Sequence, residues 1–130
     1  MILALFYLAV AVAEDSPVDC DNQRYQVEMN YCAGKAYEVA DAALNAQWKL
    51  TVAEMRSRDK MIDRRYDSQP THYDTLLAAQ RAWLTYRDQQ CLVESFAARG
   101  GSMAPMLHSG CMERLTEART AELKALVEEY

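Results

Sequence analysis

The spacing of apolar and small residues constrains this chain more than any other feature. From Tyr37 they recur at Ala40, Leu44, Trp48, Thr51 and Met55, steps of three and four that place them along one side of a helix. Ile62 and Tyr66 extend the stripe into a charged segment, RSRDKMIDRRYD, until Asp67-Ser68-Gln69-Pro70 stops it. Thr71 is placed to cap a second helix, with Asp74 three positions later as in a capping box. Leu76, Leu77, Ala79, Trp83, Leu84, Tyr86, Cys91 and Val93 supply its apolar positions, and Gly100-Gly101 ends it. A last helix beginning at Ser109 or Gly110 turns Leu115, Ala118, Leu123, Leu126 and Val127 inward, and Asn22–Tyr31 reads as a short first helix with Gly34 as its break. No period-two run of β-branched residues appears, which excludes a sheet. The expected fold class is all-α, a small antiparallel helical bundle.

The N-terminus indicates where such a bundle works. MILALFYLAVAVA is an uninterrupted apolar run that closes on Ala11-Val12-Ala13, the small-x-small pattern preceding signal-peptidase cleavage. It is too short to cross a bilayer, which takes about 20 residues. Residues 1–13 are therefore expected to be a signal peptide and residues 14–130 a single exported domain, in the periplasm or secreted. No cysteine stands at the cleavage point, and Cys20 follows the polar Ser-Pro-Val-Asp, so no lipid anchor and no stable membrane insertion are expected.

Export gives the four cysteines, Cys20, Cys32, Cys91 and Cys111, an oxidising environment and so a reading as two disulfides. Three pairings are possible. The nearest-neighbour set, Cys20 with Cys32 and Cys91 with Cys111, is preferred because each bond closes a short local loop. Loops of this size contribute on the order of 3 kcal/mol each in the chain-entropy account. The second bond would hold the ends of the Ala98–His108 connection, which is longer than the roughly 2 to 8 residues that join neighbouring helices.

The reactive chemistry is thin. His72 and His108 lack His-x-x-x-His spacing, no Cys-x-x-Cys occurs, and disulfides would remove the thiolates, so neither a metal nor a cofactor is expected. Ser102 lacks the strand and Gly-x-Ser-x-Gly frame of a nucleophile elbow, which speaks against an enzyme. With 14 basic against 19 acidic residues and a net charge of −5, nucleic acid is not the partner. The balance suits a cationic protein. Asp41 and Asn45 lie one turn apart on the long helix, and Gln80 and Arg87 two turns apart on the next, a set suited to registering two helices. Gly100–Leu107 reads either as a recognition loop, with Ser102 and Met103 as its contact residues, or as an end plug in which Met103, Met106 and Leu107 pack inward.

The stretches QVEMNYCAGKAYEVADAALN, LLAAQRAWLTYRDQQC and GGSMAPMLHSGCMERLTEARTAEL, in that order, resemble the LprI-like lysozyme-inhibitor domain, a family of small exported bacterial helical domains. The likeness spans Asp19 to about Leu123. It carries over Glu28, Met29, Asn30, Cys32, Ala40, Asp41, Leu44 and Asn45, then Gln80, Trp83, Tyr86, Arg87 and Cys91, and finally Gly101, Ser102 and Cys111. The resemblance implies fold-defining roles for these residues and no catalytic one. It implies inhibition of a cationic lysozyme-type muramidase by occlusion. A non-inhibitory module that binds another envelope protein through the charged Arg56–Arg65 surface is the alternative.

Overall fold

The computed structural model of the protein describes residues 17–128, so the leader expected over residues 1–13 lies outside the described residues. Three helices carry most of the described backbone: α1 over Gln26–Asp59, α2 over His72–Ser95 and α3 over Ala104–Glu128. A single 3₁₀ turn, Phe96–Ala98, follows α2. Among the described residues there is no β-strand. The helices run up, down and up. Asn30 of α1 meets Ser102 just ahead of α3, and Thr51 meets Leu123, so α1 and α3 are parallel. Asp41 meets Arg87, and Cys91 meets Cys111, which makes α2 antiparallel to both.

The first helix is one element where two were expected. It runs unbroken from Gln26 through Gly34, whose added Cβ would meet nothing within 4 Å. A helix interior tolerates a single glycine at about 1 kcal/mol relative to alanine, and burial of Cys32 and Ala40 on either side holds this one. At its start, the Glu28 carboxylate accepts hydrogen bonds from the backbone N–H groups of Arg24 and Tyr25, at 2.7 and 3.2 Å. At its end, α1 stops at Asp59, well short of Tyr66. The Asp59 carboxylate instead accepts from the backbone N–H groups of His72 and Tyr73, at 2.7 and 3.0 Å, and lies 2.9 Å from His72 Nδ1. The last residue of α1 thus satisfies donors that the first turn of α2 leaves without intrahelical partners.

Thr71 caps α2 as expected, its Oγ1 accepting from Asp74 N–H at 3.1 Å. The third helix starts earlier than the expected Ser109 or Gly110. It begins at Ala104, so Pro105 falls in its first turn, where a missing N–H costs no hydrogen bond. The connection from α2 is accordingly short, and Cys111 sits two turns inside α3 rather than at its start.

Both disulfides pair nearest neighbours, Cys20 with Cys32 and Cys91 with Cys111. The first ties the N-terminal segment to α1. The second joins the bodies of α2 and α3 and is itself core: Cys91 is fully buried and packs with Cys111 and Met112, against Tyr37 and Leu115. A second cluster, Leu44, Met55, Leu76 and Leu123, fills the other half with Trp48, Val52 and Trp83 against it. Thr51 is buried between α1 and α3, where its hydroxyl donates to the Leu123 carbonyl at 3.0 Å.

Several expected core residues face solvent. Leu84, Tyr86, Val93, Ala118 and Leu126 are exposed. On α2 the buried positions are Leu76, Gln80, Arg87, Cys91 and Ser95. Three of these five are polar, and counting apolar residues alone turns the inferred face away from them by roughly 50° at 100° per residue, with Leu76 and Cys91 common to both faces.

Candidate functional site

The turn between α2 and α3 forms one end of the bundle. After the 3₁₀ turn the chain reverses at Gly100, whose φ of +78° lies in the left-handed region that favours glycine. Gly101 follows closely: its N–H donates to the Ala98 carbonyl at 2.8 Å, and a Cβ there would sit 3.1 Å from that oxygen. Ser102 and Met103 come next, both exposed, immediately before α3. Met106 and Leu107, the other expected plug residues, are half-buried on α3 itself.

This turn is held from a distance. Asn30 on α1 donates from Nδ2 to the Ser102 carbonyl at 2.9 Å, and its own Oδ1 accepts from Gln26 Nε2 at 3.0 Å. The same Gln26 nitrogen lies 3.6 Å from Met106 Sδ. Below the turn, the Cys91–Cys111 bond fixes the separation of its two flanking helices. The backbone of Ser102 is therefore anchored while its hydroxyl and the Met103 thioether project outward. Phe96, which opens the 3₁₀ turn, is 40% exposed, and the Arg99 guanidinium lies over its ring, 4.5 Å from its centre.

The polar set on α1 and α2 occupies a different region, along the flank. Arg87 is 6% exposed. Its guanidinium donates to Asp88 Oδ1 at 3.0 Å and to Thr116 Oγ1 at 3.3 Å, lies 3.8 Å from Asp41 Oδ1, and covers the Trp83 ring at 5.0 Å. Asn45 Nδ2 donates to Asp41 Oδ2 at 3.3 Å. Gln80 does not join this set. Its Oε1 accepts from Arg119 Nε at 2.9 Å, a partner on α3 that no sequence pattern indicated. Nearby, burial raises the Tyr37 phenol above its ordinary value, while the Arg87 charge opposes that rise. Among the described residues every buried side-chain nitrogen and oxygen has a hydrogen-bond partner.

His72 is committed to Asp59, and His108 lies in the early part of α3. Among the described residues no group of three His, Cys, Asp or Glu side chains is arranged to hold a metal ion. No helix among them is long and apolar enough to cross a membrane. What this end of the bundle offers is shape, a stapled and anchored turn with two projecting side chains.

Comparison with known proteins gives this arrangement a context. Residues 20–123 match the family described as lysozyme inhibitor LprI, a span that takes in all three helices up to the last turn or two of α3 and all four cysteines. This chain belongs to the LprI family. An uncharacterized protein of Rhizobium meliloti (strain 1021) is 45% identical to this LprI-family chain over 126 residues, which cover 97% of the chain and 91% of that protein. No solved structure matches it.

Proposed function

We propose that this protein is an exported envelope protein that inhibits a lysozyme-type muramidase by occluding it, with no catalysis of its own. Membership of the LprI family across residues 20–123 carries the reading. The net charge of −5 supports a cationic partner, because opposite charges speed encounter. The Arg99–Met103 turn is the contact. Ser102 offers a small hydrogen-bonding group and Met103 an adaptable apolar one. Both stand on a backbone held by Asn30 and by the Cys91–Cys111 bond, so little freedom remains to be lost on binding.

Purified disulfide-bonded protein is expected to bind at least one of the chicken-type, goose-type and invertebrate-type lysozymes, and to slow its lysis of peptidoglycan. Absence of binding to all three in low-salt calorimetry would remove the proposal. The double substitution Ser102→Asp with Met103→Asp places charge where a partner would cover it. It is expected to weaken binding by tenfold or more while circular dichroism stays unchanged. Unchanged affinity would remove this turn as the principal contact.

A second reading has its own observation. Met61 and Tyr66, both 86% exposed, project beside Arg64 and Arg65 in the α1–α2 connection. A non-inhibitory adaptor would bind another envelope protein there. Capture of such a partner that is lost with Met61→Ser and Tyr66→Ser, in a protein that ignores lysozyme, would favour it.

A further inference from the structure

Arg99 is the one charged side chain between Phe96 and Leu107, and its sign runs against that of the chain as a whole. It is exposed, and among the described residues it makes no ion pair. The two acids that precede it on α2 are taken: Glu94 by Gln90 and Arg114, at 2.9 Å each, and Asp88 by Arg87 at 3.0 Å. What holds Arg99 is the Phe96 ring, 4.5 Å from its guanidinium. A cation over an aromatic face is attracted by the ring quadrupole without using up its N–H donors. The backbone keeps the two residues together, because the Arg99 N–H donates to the Phe96 carbonyl at 3.1 Å. Gly100 then reverses the chain, so the unpaired cation stands beside the two projecting side chains of Ser102 and Met103.

Given the inhibition proposed above, on which this rests, we infer that Arg99 enters the catalytic cleft of the muramidase and pairs with the carboxylates that cleave the sugar polymer. A net charge of −5 draws the protein toward a cationic enzyme, yet that same positive surface repels a guanidinium at the point of contact. The cation fits where the enzyme is locally negative. A glycoside hydrolase has one place that its chemistry obliges to carry acidic groups, the cleft, where two carboxyl groups flank the scissile bond. A guanidinium matches a carboxylate with two parallel hydrogen bonds, which repays its loss of water on burial. Ser102 and Met103 then fall against the cleft walls. Substrate and inhibitor exclude each other, so the inhibition is competitive.

Calorimetry and lysis assays on the disulfide-bonded protein, with a lysozyme that the wild type binds, test this placement. Arg99→Gln is expected to weaken binding by about tenfold or more, and Arg99→Lys to recover only part, because an ammonium cannot make the paired hydrogen bonds. Arg81→Gln removes the same charge from an exposed site well down α2 and is expected to change affinity by less than about twofold. Helical content should be the same in all three variants. The decisive measurement is a double-mutant cycle: against a lysozyme whose two cleft carboxyls are replaced by amides, wild type and Arg99→Gln should differ by less than about threefold. A soluble N-acetylglucosamine oligosaccharide that fills the cleft should displace the wild-type protein. An Arg99→Gln protein that binds as tightly as wild type would overturn this placement and leave the inhibitory reading standing. So would a full loss that persists on the amide enzyme, or binding that the oligosaccharide leaves untouched. A wild type that binds none of the three lysozyme types removes the inhibitory reading itself, and the role of Arg99 with it.

Discussion

Arg87 shows how much one side chain can organise in a bundle this small. Its guanidinium serves Asp88, Thr116 and, at longer range, Asp41, while its plane covers Trp83, so it joins all three helices from a site 6% exposed. Burial of that charge is tolerable only because it is paired and hydrogen-bonded. Arg87→Ala leaves Thr116 Oγ1 without its donor and opens a void beside Trp83, and a loss of about 2–3 kcal/mol is expected. Urea unfolding with an unchanged slope would register it as a shifted midpoint. Arg87→Lys should recover only part, since an ammonium cannot span two partners in one plane. The pairing of Arg87 with Asp41 was legible because both stand one or two turns from other polar residues on helices that had to be neighbours. The link from Gln80 to Arg119, and that from Asn30 to the Ser102 carbonyl, left no local mark. Each joins residues far apart in sequence, and one uses a backbone oxygen that any residue type could supply.

At the scale of the elements, the structure has one helix fewer than expected, because the short first helix and the long one are continuous. The three-and-four spacing of Ala40, Leu44, Thr51 and Met55 marked the buried side of α1 correctly, and every one is buried. Gly34 read as a break because glycine weakens helices on average, but packing on either side decides the matter. Gly34→Ala has open space for its Cβ and is expected to stabilise the protein by about 1 kcal/mol. Gly100→Ala, at a positive φ, should destabilise by about 1–2 kcal/mol instead. Paired thermal or urea unfolding of the two variants checks both signs. The α1 terminus was misplaced because Asp59 acts on α2, an attachment that local pattern does not record. Desolvation pushes the Asp59 carboxyl up, but hydrogen bonds from Tyr73 and His72 outweigh it and leave its pKa below the ordinary 3.8. A carboxyl depressed by folding stabilises the native state at pH values above its unfolded pKa, and that contribution is lost as pH falls through the folded one. The melting temperature should therefore fall more steeply below about pH 4 in the wild type than in Asp59→Asn. Asp59→Asn should also start lower at pH 7, and equal acid slopes in the two proteins would remove this role.

At the scale of the whole molecule, charge and shape are carried by different parts. The acidic excess belongs to the chain as a whole, whereas the proposed contact is a short turn at one pole whose single charged residue is Arg99. Long-range attraction acts on the rate of encounter, and the fit of the turn acts on the lifetime of the complex. The two contributions separate experimentally. For any lysozyme that binds, the association rate should fall steeply as salt rises from about 0.05 to 0.5 M, because the Debye length shrinks from roughly 14 Å to 4 Å. The dissociation rate should change little over that range. Ser102→Asp with Met103→Asp should do the reverse, raising the dissociation rate by tenfold or more while leaving the salt dependence of association nearly intact. Both are read from one set of surface-plasmon-resonance traces. A variant that slows association without shortening the complex would place the contact on the acidic flank instead. That outcome would give the exposed carboxylates of Asp41 and Asp88, rather than the stapled turn, the leading role in recognition.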